Sequence, residues 1–502
     1  MASLQDLILK GNRCPEHKPW PRVFVDAEMW SFAINQLTDG YWSLLGLWAE
    51  TETVHMALMD EASSAIGVIS LECPNRHYPS VGCRHAPAWR LERTIRDLSG
   101  LEPMGMNDKR PWLDHGRWEV QAPLGSARKH SPTDTGYEFL PVEGESLHQI
   151  PVGPVHAGII EPGHFRFTAN GETIVRLEER LGYTHKGIES LMAGATIDQA
   201  AKLAGRCSGD STVAYALAFA RATEAALQID IPARAHWLRA LMAEIERLAN
   251  HLGDIGAICN DAAFALMHAH CGVLRERVLR AAHACFGHRL MRDRITPGGM
   301  AVTLDPMGFD TLTTLLSNIR QRFPALVELY DSTASLQERT VASGHLSLDL
   351  ARQFAAGGFV GRGSGRASDA RRSPGYTPYD RLNFEVPVRH EGDVNARVWI
   401  RIREVEQSMA LIDQIMAQIP DGPLAVPLPF KAGEGMALIE GFRGDILVWV
   451  HLNDKGIVER CHLRDPSCFQ WPLLEAAIEG NIVADFPLCN KSFNCSYSGH
   501  DL

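Results

Sequence analysis

The chain has 502 residues, of which 45% are hydrophobic and 22% are charged, and its formal net charge at neutral pH is −11. These proportions are typical of a globular protein, and the length is enough for two or three domains. The surplus of acidic residues argues against a general nucleic-acid-binding protein, which needs a basic surface to meet phosphates.

Three further features bear on the cell compartment. The first 13 residues lack an apolar core followed by a small-residue cleavage site, so no secretory signal peptide is expected. No apolar run approaches the roughly 18 residues of a membrane-crossing helix, which predicts a soluble or peripheral protein. The chain has 11 cysteines but no C-x-x-C pair. This pattern favours a reducing compartment in which most thiols are small buried side chains.

The first zone of the chain, residues 1–128, mixes short apolar runs with helical patches. Two of these runs, Val54–Asp60 and Ala65–Cys73, predict neighbouring strands with a turn between them. Trp89–Gly100 predicts a helix that ends at glycine. We interpret this zone as a small domain. The polar stretch 129–148, with scattered proline and glycine, predicts a linker.

The second zone, residues 149–502, predicts a larger domain. Val175–Gly194 has a helical pattern with a break near Gly187. Two further long helices are predicted near Asp310–Gln337 and Arg397–Gln418.

The clearest helical pattern covers Pro232–Asn260, where apolar residues recur at steps of three and four. A second stripe at the same period is polar and consists of Glu244, Arg247, His251 and Asp254. Such a stripe is usually a solvated face, and we prefer that interpretation. In a helix deep inside a large domain, the same stripe would line a polar cavity.

Several separated segments together resemble a known family. They are Ile150–Leu191, the RCSGDS segment, the helix with EIERLANHL, Thr296–Met300, Val360–Val388 and the last 18 residues. This set resembles the large subunit of membrane-bound, energy-converting nickel–iron hydrogenases, and it is similar to the quinone-pocket subunit of respiratory complex I. His77–Arg110 resembles the small hydrophilic subunit that pairs with the quinone-pocket subunit. The two are fused here, as in formate-hydrogenlyase-type large subunits.

The resemblance implies an α+β fold. A small sheet-and-helix domain would precede a large, mainly α-helical hydrogenase-like domain with peripheral strands. It also implies a peripheral position on the cytoplasmic side of the cell membrane, beside a partner subunit that carries a [4Fe–4S] cluster. Antiporter-like and proximal membrane subunits would form an ion-pumping membrane arm. This chain is expected to hold no metal, and a quinone is its candidate ligand.

The hydrogenase family binds nickel and iron through two C-x-x-C pairs, one after an arginine and one near the chain end. These motifs fall here on Arg206–Ser211 and Asn494–Gly499. The four cysteine positions are occupied by Ser208, Ser211, Ser496 and Gly499. Thiolates are soft anionic ligands that can bridge two metals, whereas a serine hydroxyl is a hard neutral donor and glycine offers no ligand. The resemblance therefore predicts an emptied nickel–iron site.

Two cysteines lie one residue before positions of the missing ligands. Cys207 and Cys495 could be invoked as replacements after a one-residue slip, but two thiols without C-x-x-C partners would stand in for four. We favour a structural role for both over a redox or metal role.

The residues of complex I that donate hydrogen bonds to the quinone are also replaced. In that family a hairpin histidine and a tyrosine after the arginine donate hydrogen bonds or protons to the quinone. These positions fall here on Pro162 and Gly209. His156, His164 and Tyr215 are the nearby substitutes, and each is equally compatible with a satisfied core side chain.

Other polar residues match the family motifs. His185-Lys186-Gly187 occupies the place of an H-R-G motif near the partner's cluster, where a cation would raise the cluster's potential. Glu189 matches a proton-transfer glutamate, and a buried carboxyl with a raised pKa suits that role. Arg362, Asp369 and Arg371 match an arginine–aspartate motif of complex I, for which we prefer a structural role over proton transfer.

The resemblance thus nominates two sets of site residues. The proton-transfer candidates are His185, Glu189, Arg362 and Asp369. The ligand-binding candidates are His156, His164, Lys186, Arg206, Ser208, Gly209, Ser211 and Tyr215.

Three functions remain open. The preferred one is a subunit of a complex-I-like, hydrogenase-related membrane oxidoreductase whose pocket takes a quinone or another small electron acceptor and couples redox change to ion movement. The alternative is a non-catalytic structural or coupling subunit of a complex that transports ions or inorganic carbon. An active nickel–iron hydrogenase is the least favoured.

Overall fold

The computed structural model describes residues 3–129, 131–133 and 136–502. The α-helices of this part are α1 Leu4–Lys10, α2 Ala27–Thr38, α3 Trp89–Ser99, α4 Ile188–Met192, α5 Ile197–Ala204, α6 Thr212–Leu227, α7 Ala233–Asp261, α8 Ala265–Phe286, α9 Pro306–Ser332, α10 Ala334–Thr340, α11 Leu348–Gln353, α12 Gly358–Gly363, α13 Val394–Gln418, α14 Ser467–Ala477, α15 Phe486–Phe493 and α16 Tyr497–His500. The strands are β1 Asn12–Cys14, β2 His17–Lys18, β3 Arg22–Phe24, β4 Trp42–Glu50, β5 Thr53–Asp60, β6 Ile66–Glu72, β7 His77–Pro79, β8 Glu102–Met104, β9 Val120–Gln121, β10 Arg128–Lys129, β11 Leu147–Val152, β12 His164–Asn170, β13 Thr173–Arg180, β14 Ile295–Thr296, β15 Gly299–Met300, β16 Gly433–Gly441, β17 Gly444–Leu452 and β18 Val458–Arg464.

The first zone contains a five-stranded sheet in the order β1-β3-β6-β5-β4. Strands β5 and β6 are antiparallel neighbours, as the two apolar runs predict. Helix α3 is also confirmed, and it ends because Gly100 adopts a left-handed conformation with φ +67°. Strand β2 leaves this zone and pairs in parallel with β16.

The predicted linker, residues 129–148, includes positions 130, 134 and 135, which lie outside the described residues. Its described part contacts the second zone, since the Leu140 backbone N–H donates to Glu178 Oε2 at 2.8 Å. The division into domains at residues 128 and 149 stays a prediction.

The second zone opens with a three-stranded antiparallel sheet, β11-β12-β13. The helix predicted from Val175 is wrong in its first half, because residues 173–180 form β13. Ile174 and Leu177 are buried, and the strand pairs along its length with β12. A helix starts only at α4, after Gly187 with φ +65°.

A group of long helices forms the body of the second zone. Helices α7 and α13 confirm two of the predicted long helices. The third predicted helix, Asp310–Gln337, is divided between α9 and α10. Thr333 has extended backbone angles between them, and its carbonyl accepts the first bonds of α10.

The polar stripe of α7 is not a solvated face, so the preferred interpretation was wrong. Glu244 and His251 are 0% exposed, Arg247 is 1% exposed and Asp254 is 9% exposed. Helix α13 packs along α7, and the end of strand β16 meets the stripe at Arg247. Arg247 Nη1 donates to the Gly441 carbonyl at 2.8 Å.

The last sheet has the order β18-β17-β16-β2 and packs against α6. Small sheets therefore surround a mainly helical body, which confirms the α+β fold class. Among residues 3–129, 131–133 and 136–502, no helix combines the length and the apolar character that crossing a membrane requires.

Candidate functional site

The two segments that align with the cysteine motifs lie side by side. Ser208 Oγ and Ser496 Oγ are 3.1 Å apart, and each residue is 4% exposed. Ser208 precedes the short turn that leads into α6, and Ser496 caps α16 by accepting from the Gly499 N–H at 2.9 Å. We call Ser208, Ser211, Ser496 and Gly499 the serine cradle.

An ion pair closes one side of the serine cradle. Arg443, in the turn between β16 and β17, places Nη1 2.7 Å from Asp210 Oδ1 and Nη2 2.5 Å from Asp210 Oδ2. Ser208 Oγ donates to the same carboxylate at 2.7 Å, and Arg443 Nη1 donates to Ser211 Oγ at 3.3 Å. Burial alone would raise the pKa of Asp210, but Arg443 holds it below its ordinary value.

Asp465 occupies another side of the cradle. Tyr215 Oη donates to Asp465 Oδ2 at 2.7 Å, and the Ser467 N–H donates to Asp465 Oδ1 at 2.8 Å. A Cβ atom built on Gly499 would lie 2.5 Å from Asp465 Oδ2 and 2.9 Å from Ser496 Oγ. The position aligned with the fourth cysteine therefore has no room for a side chain.

The three side chains that are candidates for hydrogen bonding to a quinone have different partners and do not meet at one site. Tyr215 is fully buried and its hydroxyl proton is committed to Asp465. His156 Nε2 lies 3.2 Å from Tyr497 Oη, so this ring reaches the C-terminal motif. His164 lies on β12, where its ring centroid is 4.8 Å from that of Phe139.

Glu189 is a buried carboxylate fixed by a cation. Its Oε2 lies 2.7 Å from Arg460 Nη1, and its Oε1 lies 2.9 Å from His462 Nδ1 and accepts from the Leu463 N–H at 3.0 Å. Burial alone would raise the pKa of Glu189, but Arg460 and His462 lower it to about 2. The raised pKa expected of a proton-transfer group is therefore wrong, and the carboxylate is ionised at neutral pH.

The His185-Lys186 pair lies next to the first serine motif. The His185 ring stacks on Trp118 with centroids 5.1 Å apart and planes 18° from parallel. Lys186 Nζ donates to the Cys207 carbonyl at 2.9 Å. Lys186 is exposed, so its charge remains near the surface beside this turn.

Arg206 points away from the cradle. Its Nη2 donates to Asp293 Oδ2 at 2.7 Å, and side-chain hydrogen bonding with Asp293 raises the pKa of Arg206.

Cys207 and Cys495 are both buried, and burial raises the pKa of each thiol. Two neutral thiols agree with the structural role that we favour.

A buried group of charges lies beside α7. We call it the ionic network, and its members, each at most 3% exposed, are Glu244, Arg247, Arg362, Asp369, Arg371, Glu404 and Glu440. Arg362 bridges two carboxylates, since Nη2 is 2.9 Å from Glu404 Oε1 and Nη1 is 2.9 Å from Glu440 Oε1. Arg371 Nη2 is 2.7 Å from Asp369 Oδ2. The predicted arginine–aspartate motif is thus brought together by the fold.

The network holds four acidic groups against three arginines. Burial and the Asp369 charge raise the pKa of Glu440 to about 7. Burial also disfavours the charge of Glu404, but Arg247, Arg362 and Arg371 hold its pKa well below the ordinary value.

The polar stripe of α7 connects the network to the serine cradle. Glu244 and Arg247 belong to the network. Further along the helix, Asn250 Nδ2 donates to the Asp210 carbonyl at 2.6 Å, and Asp254 Oδ1 accepts from Asn494 Nδ2 at 2.9 Å. One helix therefore contacts both motif segments and the buried charges.

Sequence reasoning missed the partners that complete these groups. They are Glu404, Glu440, Arg443, Arg460, His462 and Asp465. Arg443 carries a signal that could have been used, because it is a charged residue at the tight turn of two long apolar strands. Asp465 lies in the short connection between β18 and α14, the others lie in regular helices and strands, and none of them shows such a pattern.

The cavity that borders Gly499 of the cradle is small. A cavity of about 50 Å³ is lined in part by Glu189, His462, Gly499 and residues of α3. An apolar cavity that holds a benzene ring measures about 150 Å³. In the part of the chain that the structure describes, no three His, Cys, Asp or Glu side chains are grouped as metal ligands.

Sequence models of two protein families match the second zone. The family described as respiratory-chain NADH dehydrogenase, 49 Kd subunit, matches residues 261–432. The family described as nickel-dependent hydrogenase matches residues 186–253. The hydrogenase segment contains Glu189, the first serine motif and Arg247, and the other segment contains Arg362 and Arg371 of the ionic network.

Curated relatives cover most of the chain. Formate hydrogenlyase subunit 5 of Escherichia coli (strain K12) is 32% identical over 451 residues, which are 86% of this chain and 78% of that protein. The carbon monoxide-induced hydrogenase of Rhodospirillum rubrum is 31% identical over 70% of this chain and 98% of its own length. The NADH-quinone oxidoreductase of Desulfotalea psychrophila (strain LSv54 / DSM 12343) has a subunit that is 29% identical over 69% of this chain and 95% of its own length.

A solved structure supports the fold. It is that of the membrane-bound sulfane sulfur reductase, an archaeal respiratory membrane complex, with a TM-score of 0.68 and 24% identity. The match covers 72% of this chain and 100% of the solved one. The relatives show that this chain belongs to the family of hydrogenase-related and complex I-related large subunits that includes formate hydrogenlyase subunit 5.

Proposed function

We propose that this chain is a peripheral-arm coupling subunit of a complex-I-like membrane complex and that its nickel–iron position is emptied and closed. The observation that carries the proposal is the 3.1 Å contact between Ser208 Oγ and Ser496 Oγ inside the serine cradle. Hydroxyls at hydrogen-bonding distance fill the space between the two motifs, where thiolates would have to bridge a metal pair.

The residues present do not fit a nickel–iron centre. Serine hydroxyls are poor ligands for such soft sites. Gly499 has no side chain, and Asp465 stands where one would go. Arg443 adds a buried cation beside the cradle. Asp210 already neutralises the charge of Arg443. We therefore derive no reaction step through a metal in this chain.

The chemistry left to the chain is electrostatic coupling. Glu440 has a pKa of about 7, so the ionic network can exchange one proton near neutral pH. Helix α7 links that network to the cradle. The partners that suit this role are an iron–sulfur subunit against the motif surface and antiporter-like and proximal membrane subunits, with the chain on the cytoplasmic side. The relatives and the archaeal membrane complex support such an assembly.

A quinone pocket is the second candidate function. It is favoured by Gly209, which is exposed and has no atom within 4 Å of the place where a Cβ would be. By the resemblance, this position belongs to a tyrosine that donates a hydrogen bond or a proton to the quinone. A partner subunit that covers this open space could complete a ligand site.

The experiment that separates these functions uses the purified membrane complex. Elemental analysis should find iron from the partner's clusters without stoichiometric nickel, and nickel near one atom per chain would contradict the closed cradle. A photoreactive quinone analogue should leave residues 203–212 unlabelled. Labelling there that excess unmodified quinone suppresses would instead establish the quinone pocket.

The closed cradle also predicts the response of two glycines to the same change. Gly499→Ala should lower the free energy of unfolding by about 1–3 kcal/mol, because the new methyl group overlaps the Asp465 carboxylate. Gly272→Ala, at an exposed position in α8 with no neighbour within 4 Å, should raise it by up to about 1 kcal/mol. Urea unfolding of both variants measures the difference. Equal effects at the two sites would show that the cradle has room for a side chain.

A further inference from the structure

A second, larger pocket lies away from the serine cradle. It has a volume of about 540 Å³ and opens between α6, the first turn of α7, residues 374–376 and β16. Much of its wall is apolar or aromatic, with contributions from Trp20, Ala225, Ile229, Tyr376 and Leu438. Its volume lies within the range of roughly 300–1,000 Å³ that is usual for small-molecule sites, which are mostly apolar with a few polar groups.

Arg221 supplies the charge of this pocket. It is partly buried, and its guanidinium carbon lies 5.1 Å from the centroid of the Tyr376 ring. Among the residues that the structure describes, none forms a hydrogen bond or an ion pair with this guanidinium group. Burial lowers the pKa of Arg221, so the folded protein bears a cost for holding this cation without a counter-ion.

The neighbouring groups do not neutralise Arg221. Glu224 is engaged by Arg239, whose Nη2 lies 2.6 Å and Nη1 2.9 Å from its oxygens. Asp230 is exposed at the rim. Burial and the nearby arginines lower the pKa of His236 to about 4, so this ring is neutral at pH 7. The interior of the pocket therefore presents one uncompensated positive charge and one neutral imidazole.

We propose that this pocket binds a small organic monoanion, whose carboxylate pairs with the Arg221 guanidinium and whose apolar body packs against Trp20 and Tyr376. The planar guanidinium can donate two parallel hydrogen bonds to a carboxylate, a geometry that an ammonium group cannot offer. The neutral His236 ring is available as a further donor. This site shares no residue with the serine cradle, so its test is independent of the coupling function.

The test is isothermal titration of the full chain with benzoate, benzamide and inorganic phosphate. Benzoate should bind the wild-type protein, whereas benzamide, which has the same shape without the charge, should not. Arg221→Met should weaken benzoate binding at least tenfold. Arg280→Met removes the same charge from an arginine of α8 whose side chain is 80% exposed, and it should leave the affinity unchanged.

A second variant keeps the proposal falsifiable if Arg221→Met does not fold. Ala225→Phe fills the pocket without altering any charge and should abolish benzoate binding. Equal affinities for benzoate and benzamide, or an unchanged benzoate affinity in either pocket variant, would overturn the proposal. Phosphate binding as tight as that of benzoate would also contradict it, because the apolar wall would then contribute nothing.

Discussion

Replacing Glu404 by glutamine should lower the free energy of unfolding by about 3–5 kcal/mol. Glu404 is 0% exposed and is the carboxylate that contacts all three arginines of the ionic network. An amide of the same shape keeps the volume but removes the negative charge. Three buried guanidinium groups then face fewer anions, and the energy needed to desolvate them is no longer offset.

The matched control lies on the same helix. Glu406 forms an exposed pair with Arg403 at 2.7 Å, and the two side chains are 44% and 59% exposed. Such surface pairs contribute at most about 1 kcal/mol, so Glu406→Gln should scarcely move the urea midpoint. If Glu404→Gln were as mild as Glu406→Gln, water would have to reach the network, and its role as a closed charge cluster would be wrong.

The sequence predicts the motifs of this site better than their surroundings. The two serine motifs were recognisable from local order, and the fold brings Ser208 to Ser496 although 288 positions separate them. The α7 stripe shows the limit. Its period specifies which residues share a face, but α13 and the end of β16, which cover that face, lie 140 or more residues further along the chain. Only long-range packing decides between solvent and a buried charge cluster.

Strand β13 illustrates the same limit for secondary structure. Apart from Val175, the segment VRLEER consists of residues that are good helix formers, and local propensity predicts a helix. Its pairing with β12 outweighs that preference, because the hairpin buries Ile174 and Leu177 on one side.

The pKa of Glu189 was beyond prediction for a related reason. Burial alone argues for a raised value, and the cation that reverses it, Arg460, lies on a strand 271 positions away.

Glu189→Gln should therefore destabilise the protein at neutral pH but not in strong acid. The carboxyl has an ordinary pKa of 4.5 and a pKa of about 2 in the folded chain. A lowered pKa contributes stability that is fully present above 4.5 and is lost as the pH falls through 2. The shift corresponds to about 3 kcal/mol, which is the expected difference between wild type and variant at pH 6 to 7.

The measurement is urea unfolding of both proteins at a series of pH values from 7 down to 3. The difference in unfolding free energy between wild type and Glu189→Gln should narrow steadily below pH 4.5. Protonation of this carboxyl in the unfolded wild-type chain stabilises the unfolded state, so the net stabilisation from the ionised carboxylate decreases. Glu328→Gln, at an exposed position of α9, should follow the wild-type curve throughout. A gap that widens towards acid pH would mean that Glu189 is protonated in the folded chain. The family's proton-transfer role would then regain its physical basis, because a carboxyl can donate a proton at neutral pH only if the surrounding cations do not hold it ionised.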